Sequence, residues 1–150
     1  MHEHLYNYKA NVVSVYDGDT CTVDIDLGMR TWVHGEKLRL FRINAPELTG
    51  VQKPAGLAAR DFLRGMIAGK EIHLQTIKDK QEKYGRYLAE IFVQQGEAWV
   101  NVNDEMVKNG HAVYQDYSVV GVVANRLVAK LRTRGAEHKK QKAKSKRQSA

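Results

Sequence analysis

Three short stretches of this chain carry side chains that can do chemistry. The first is Val15-Tyr-Asp-Gly-Asp-Thr20. Its two carboxylates, Asp17 and Asp19, stand two residues apart. Hard cations such as Ca²⁺ prefer oxygen ligands, so this pair can hold one. It can equally be a hairpin turn with solvated aspartates. The second is Arg39-Leu-Phe-Arg-Ile-Asn-Ala-Pro-Glu47. It places an arginine on a strand and a carboxylate, Glu47, at the start of a loop, because the residue before proline is kept out of helix. Strand ends and loops often carry catalytic groups. The third is Lys83-Tyr-Gly-Arg-Tyr87, with a glycine fit for a tight turn and Arg86 at the start of a strand. Read singly, each stretch favours an ordinary turn or edge strand. Together, acids and arginines at three strand–loop junctions form a constellation.

The elements that must position them follow from periodicity. Residues 11–16 are rich in β-formers, and Cys21, Val23, Ile25 and Leu27 alternate with polar residues, the period of a half-buried strand. Asp17-Gly18 lies between these runs and predicts a hairpin turn, for which a glycine at positive φ is the usual reason. Residues 37–44 predict a third strand ended by Pro46, with Gly28 and Gly35 punctuating the connection before it. Ala59, Phe62, Leu63, Met66 and Ile67 share one helical face, with Pro54 in the first turn and Gly69 past the end. Residues 71–77 and 86–93 predict two more strands, and 98–100 a short apolar piece. Asn103 is expected to cap a helix running to Lys108, stopped by Gly110. A last amphipathic helix is expected over 122–133. The order does not alternate strand and helix strictly, which disfavours a doubly wound parallel sheet and favours a small antiparallel sheet or partly open barrel.

With the spacing Asp-Gly-Asp-Thr, Arg-x₄-Asn-Ala-Pro-Glu and Tyr-Gly-Arg in this order, the chain resembles the staphylococcal nuclease (thermonuclease) family over about residues 9–135. The resemblance implies a mainly β fold with α (α+β): an OB-fold, a five-stranded barrel with three helices. It implies a Ca²⁺-dependent, sugar-non-specific endonuclease acting on DNA and RNA and leaving 5′-hydroxyl and 3′-phosphate ends. Carried over residue by residue, Asp19 becomes a metal ligand and Ala45 offers its backbone carbonyl. Arg39 clamps the phosphate, Glu47 is the general base, and Arg86 contacts the phosphate and assists the leaving oxygen. One position departs. Where the family has an aspartate as second metal carboxylate, this chain has Asn44, which still offers a carbonyl oxygen but no charge. Tyr84, beside Arg86, and Tyr114 and Tyr117, after the second helix, are candidates for stacking bases. A binding module, an OB-fold holding single-stranded nucleic acid or a protein partner without cutting, is the alternative. Asn44 speaks for it. Arg39, Glu47 and Arg86 speak for the enzyme, because a carboxylate beside a phosphate only repels a ligand that is merely bound.

Composition bounds the rest. The chain has 150 residues, one cysteine, two prolines and a formal net charge of +7. Its length suits one domain, and a single cysteine excludes an internal disulfide framework. Residues 131–150 hold eight Lys and Arg against one acid, whereas 1–130 hold sixteen of each sign. The whole excess therefore lies at the C-terminal end, and the body is balanced. A nuclease-like domain over 1–135 and a basic, disordered tail over 136–150 are expected. No window approaches the ~20 apolar residues of a membrane helix. The first residues contain no apolar segment of a signal peptide, which with the free cysteine leans towards the cytoplasm or a mobile-element product. Single-stranded nucleic acid is the expected partner, no membrane is involved, and a monomer is expected. No His-x₃-His or Cys-x₂-Cys spacing marks a zinc site. Cys21, Trp32 and Trp99 read as packing residues.

Overall fold

The computed structural model describes residues 6–81 and 84–115, with backbone only for 78–81. Eight strands and two α-helices appear: β1 (Asn7–Asp17), β2 (Thr20–Gly28), β3 (Thr31–Leu40), β4 (Ile43–Asn44), α1 (Lys53–Ile67), β5 (Glu71–Gln81), β6 (Tyr87–Gln95), β7 (Ala98–Asn101), α2 (Val102–Lys108) and β8 (Val113–Tyr114). A single 3₁₀ turn, Gly50–Gln52, leads into α1. The main sheet runs β3-β2-β1-β5-β6-β7, and a parallel pairing of β3 with β6 closes β1, β2, β3, β5 and β6 into a barrel. This is an OB-fold. The resemblance implies three helices; two lie among the described residues, and the one expected over 122–133 falls outside them.

The alternation in β2 does what its period requires. Cys21, Val23 and Ile25 are buried, and Leu27 at the strand end is exposed. On α1, Ala59, Leu63, Met66 and Ile67 are buried and Phe62 packs at the edge of the core, so the apolar face lies against the barrel. Cys21 is a fully buried free thiol, pushed up to about 12 by burial and secondarily by Asp17, which makes it a small hydrophobe rather than a nucleophile. Trp32 and Trp99 are both part-exposed and stack on His34 and His73.

Three local expectations are corrected. The predicted third strand begins six residues earlier, at Thr31, and is broken after Leu40 by Arg42, which takes φ 67°. Gly35 lies inside this strand at φ 72°, where pairing with β2 skips a residue, so it marks a bulge rather than a loop. The cap of α2 is Asn101, whose side chain accepts from the Asp104 N–H at 3.0 Å. Asn103 is instead fully buried. It accepts from the Ile91 N–H (3.2 Å) and donates to the Phe41 and Ala89 carbonyls (2.9 and 3.0 Å). A side-chain amide there satisfies backbone groups where β6 meets the chain leaving β3. Sequence spacing does not distinguish that role from capping.

Gly18 also has a different reason from the one its dipeptide suggests. It is not among the positive-φ glycines. A Cβ there would lie 2.7 Å from the Cβ atoms of both Ala45 and Ala59. The turn between β1 and β2 is therefore wedged between the β4 loop and α1, and only glycine fits. Gly18→Ala is expected to lower stability by about 1–3 kcal/mol through overpacking. Gly65→Ala, inside α1 with open space around it, should instead raise stability by about 0.5–1 kcal/mol. Denaturant melts of the two variants check both signs.

Candidate active site

The turn that Gly18 makes possible presents Asp19 to the loop after β3. Thr20 pairs with Arg39 in the β2–β3 register, so the acid and the arginine are neighbours by sheet geometry. The Leu40 N–H donates to the Asp19 carbonyl at 2.8 Å and fixes the backbone of the turn. Asp19 Oδ2 accepts from Arg39 (3.0 Å) and from the Ala45 N–H (2.8 Å). Oδ1 accepts from the Thr20 hydroxyl at 3.3 Å. Asp17 Oδ1 in turn accepts from the Asp19 N–H at 3.0 Å.

Arg39 is buried, at 7% exposure, and turned towards internal acceptors. Besides Asp19 it donates to the carbonyls of Leu40 (3.2 Å) and Ile43 (3.1 Å) and to Asn44 Oδ1 (3.2 Å). One guanidinium thus joins the Asp19 and Asn44 side chains. Arg86 is half-buried, donates to the Thr20 hydroxyl at 3.1 Å, and lies 5.4 Å from the ring centre of Tyr84. Through Thr20 it joins the same set. Gly85, at φ 79°, makes the turn that carries it there.

Glu47 is placed by its backbone. Its N–H donates to Gln52 Oε1 at 3.0 Å, and a Cβ on Gly56 of α1 would lie 2.2 Å from its carbonyl oxygen. Among the described residues nothing holds its carboxylate, which is exposed at the start of the loop. The structure brings Asp19, Arg39, Asn44 and Ala45 together directly and Arg86 through Thr20. Tyr84 joins as a 70% exposed ring beside Arg86. Arg86 and Tyr84 line a cleft of about 720 Å³ with Thr20 and Thr22.

Tyr114 is engaged elsewhere. β8 pairs with β4, setting Tyr114 opposite Ile43 and Val113 opposite Asn44. The Tyr114 hydroxyl donates to Asp104 Oδ1 at 3.0 Å, and its ring lies 5.7 Å from the Arg42 guanidinium. Arg42 also pairs with Glu90 and with Asp104 (3.0 Å), and Asn101 donates to Glu90 at 3.0 Å. Tyr117 lies outside the described residues. Sequence reasoning did not single out the Arg42–Glu90–Asp104 network, and no motif signals it, because its members lie far apart along the chain.

Charge and burial at Asp19 bear on a metal. Burial raises its pKa most; Arg39 lowers it, Asp17 raises it and the Ala45 N–H lowers it, leaving it raised to about 6. The ionised carboxylate is therefore less well stabilised than it would be in water. The Asp19 carboxylate and the Asn44 amide oxygen are hard oxygens of the kind a divalent cation prefers, and both accept from Arg39 here. Among the described residues no three His, Cys, Asp or Glu side chains gather into a metal site. No helix among the described residues is long and apolar enough to cross a membrane.

Residues 37–149 match the family model described as Staphylococcal nuclease homologue. An uncharacterized protein of Methanocaldococcus jannaschii is 31% identical over 134 residues, covering 74% of this chain and 59% of that protein. Endonuclease YhcR of Bacillus subtilis is 30% identical over 115 residues, 70% of this chain and 9% of its own length. The thermonuclease of Staphylococcus intermedius is 32% identical over 105 residues, 67% of this chain and 56% of its own. The chain thus spans less than two thirds of the length of each of these relatives.

The hydrogen bond to Asp104 raises the Tyr114 phenol above its ordinary 10, burial and the Asp104 charge adding to it. A raised phenol contributes stability that is complete below pH 10 and is lost as pH rises through the folded-state value. In an absorbance titration at alkaline pH, one tyrosine should ionise late, and Tyr114→Phe should remove that phase. Asp104→Asn should shift it back towards the ordinary value.

Proposed function

This chain belongs to the staphylococcal nuclease family, and from that premise we propose that it hydrolyses phosphodiester bonds in DNA and RNA. The reaction is Ca²⁺-dependent and indifferent to the sugar, and leaves 5′-hydroxyl and 3′-phosphate ends. What supports the reading is one observation. A continuous set of hydrogen bonds draws Asp19, Arg39, Asn44, Ala45 and, through Thr20, Arg86 from three separate stretches of sequence into one site. The names of two relatives, an endonuclease and a thermonuclease, point the same way.

Each residue has a role that its surroundings allow. Asp19, Asn44 and the Ala45 carbonyl would hold Ca²⁺, which when bound supplies positive charge against the phosphate. Glu47 is exposed and takes a proton from the attacking water. That oxygen adds to phosphorus in line, and the bond from phosphorus to the 5′ oxygen breaks, the departing oxygen taking a proton from solvent. Arg86 presents a planar guanidinium to the phosphate oxygens and to the leaving oxygen, a geometry lysine lacks. Arg39 holds Asp19 and Asn44 in place and adds its charge to the phosphate site. Tyr84 offers a face on which a base can stack. Tyr114 and Tyr117 are further candidates for that role, Tyr114 from opposite Ile43 on β8.

A positioned general base is worth about 10²–10⁴-fold. Glu47→Gln should therefore cut single-stranded DNA at least about 10²-fold more slowly than the wild type while melting at the same temperature. Equal rates would refute the assignment. Chelation should abolish cleavage by the wild type. Binding without cutting, even in excess Ca²⁺, would favour the non-cutting OB-fold module instead. Affinity for Ca²⁺ follows ligand charge, so Asn44→Asp should lower the Ca²⁺ concentration for half-maximal cleavage by about tenfold. A calcium titration of the cleavage rate measures it.

A further inference from the structure

The cleft that Arg86 and Tyr84 open onto has a second wall, which none of the three motifs contains. Lys37 comes from β3, and Arg60 and Arg64 from successive turns of α1. With Arg86 they place four cations around about 720 Å³, and no carboxylate lines the cleft among the described residues. Residues 1–130 as a whole hold as many acids as bases, so this is a local segregation of sign and not a reflection of net charge. A concave surface of one sign focuses its field on an approaching ligand of the other.

The cations are also held for use. Arg64 donates through Nε and Nη2 to the Val15 carbonyl (3.3 and 3.1 Å), which fixes its guanidinium at the edge of the cleft. Arg60 donates to Asp61, its neighbour on the same helix, at 3.1 and 3.0 Å, and Asp61 also lies 3.9 Å from Arg64, so one carboxylate outside the lining offsets part of the charge of this pair. Lys37 sits opposite Thr22 in the β2–β3 register, so its exposed side chain rises from the same face as the threonine. Tyr16 and Tyr84 are 68% and 70% exposed on the same cleft. Cations interleaved with exposed aromatic rings suit a strand with one charge per nucleotide and unpaired bases. A duplex hides its bases, and an acidic peptide does not bring a planar ring with each charge.

We propose that this cleft is a phosphate track, in which Lys37, Arg60 and Arg64 bind the sugar–phosphate backbone of single-stranded nucleic acid next to the bond held at Arg86. The inference rests on reading the site as one that acts on nucleic acid. It extends that reading from the one phosphate at the site to its neighbours along the strand.

The test is binding, read apart from cleavage. A fluorescent oligothymidylate of about twelve nucleotides is titrated with the full chain in chelator, across a range of salt. Lys37→Gln/Arg60→Gln should bind at least about fivefold more weakly at low salt. The slope of log K against log salt should fall by about 0.7 for each phosphate that is no longer neutralised. Lys9→Gln/Lys108→Gln removes the same charge from exposed positions outside the cleft and should bind like the wild type. Lys37→Arg/Arg60→Lys, which keeps the charge, should restore the slope. The track is overturned if the wild type does not bind. It is overturned equally if Lys37→Gln/Arg60→Gln matches the wild type, or if the control pair weakens binding as much. Cleavage of the same oligonucleotide in Ca²⁺ is scored separately. A chain that binds through these residues but never cuts would overturn the nuclease reading and leave the track standing.

Discussion

The pairing of Asp19 with Arg39 is the interaction on which this site depends. Both side chains are nearly removed from water, and each would be costly to leave alone: breaking one partner of a buried pair typically costs about 3–5 kcal/mol. The pair survives burial because the remaining valences are met. Ala45 and Thr20 donate to the carboxylate, and the carbonyls of Leu40 and Ile43 accept from the guanidinium. These partners come from the β1–β2 turn, from β3 and from the loop after β4. Satisfying one carboxylate therefore fixes three segments at once, and Arg86 inherits its position through Thr20.

Close packing enforces the same arrangement from the other side. Gly18 lets the turn reach Ala45 and Ala59, and Gly56 lets α1 approach the carbonyl of Glu47. Neither glycine is there for backbone freedom. Both are there because a methyl group would collide, so helix α1 serves as a template against which the loop bearing Glu47 is set. Between β3 and β4, the left-handed Arg42 is held by Glu90 and Asp104, and its carbonyl accepts from the Gln115 N–H at 2.7 Å. An L-residue in the left-handed region costs about 1–3 kcal/mol, and this network offsets it. Asn103 ties β6 to the chain just after β3 in the same neighbourhood.

Asn44 meets the buried arginine without a charge of its own. An amide offers one acceptor oxygen where a carboxylate offers two and a negative charge, and here that oxygen accepts from Arg39. The negative charge in contact with the buried guanidinium is that of Asp19.

The barrel and its site were legible where the information is local. Alternation in β2 and the helical face of α1 specify which side chains turn inward, because burial of apolar surface follows the period of the backbone. The three motifs mark the turns and loop starts at which Asp19, Glu47 and Arg86 stand. Where two readings share one local pattern, only the folded chain separates them. Asn101 and Asn103 are both fit to cap a helix, and the choice depends on which one meets carbonyls from β6 and the segment after β3. Gly18 looks like a turn glycine until Ala59 arrives from a distant helix. Lys37, Arg60 and Arg64 are unremarkable surface cations in the chain and become one wall of a cleft only when α1 docks beside β1. Period and composition, read along the chain, were enough to set the elements and the reactive residue types. Which charges share a low-dielectric space, and which acceptors each arginine meets, came from tertiary packing, since both are properties of distance between segments that the chain order leaves far apart.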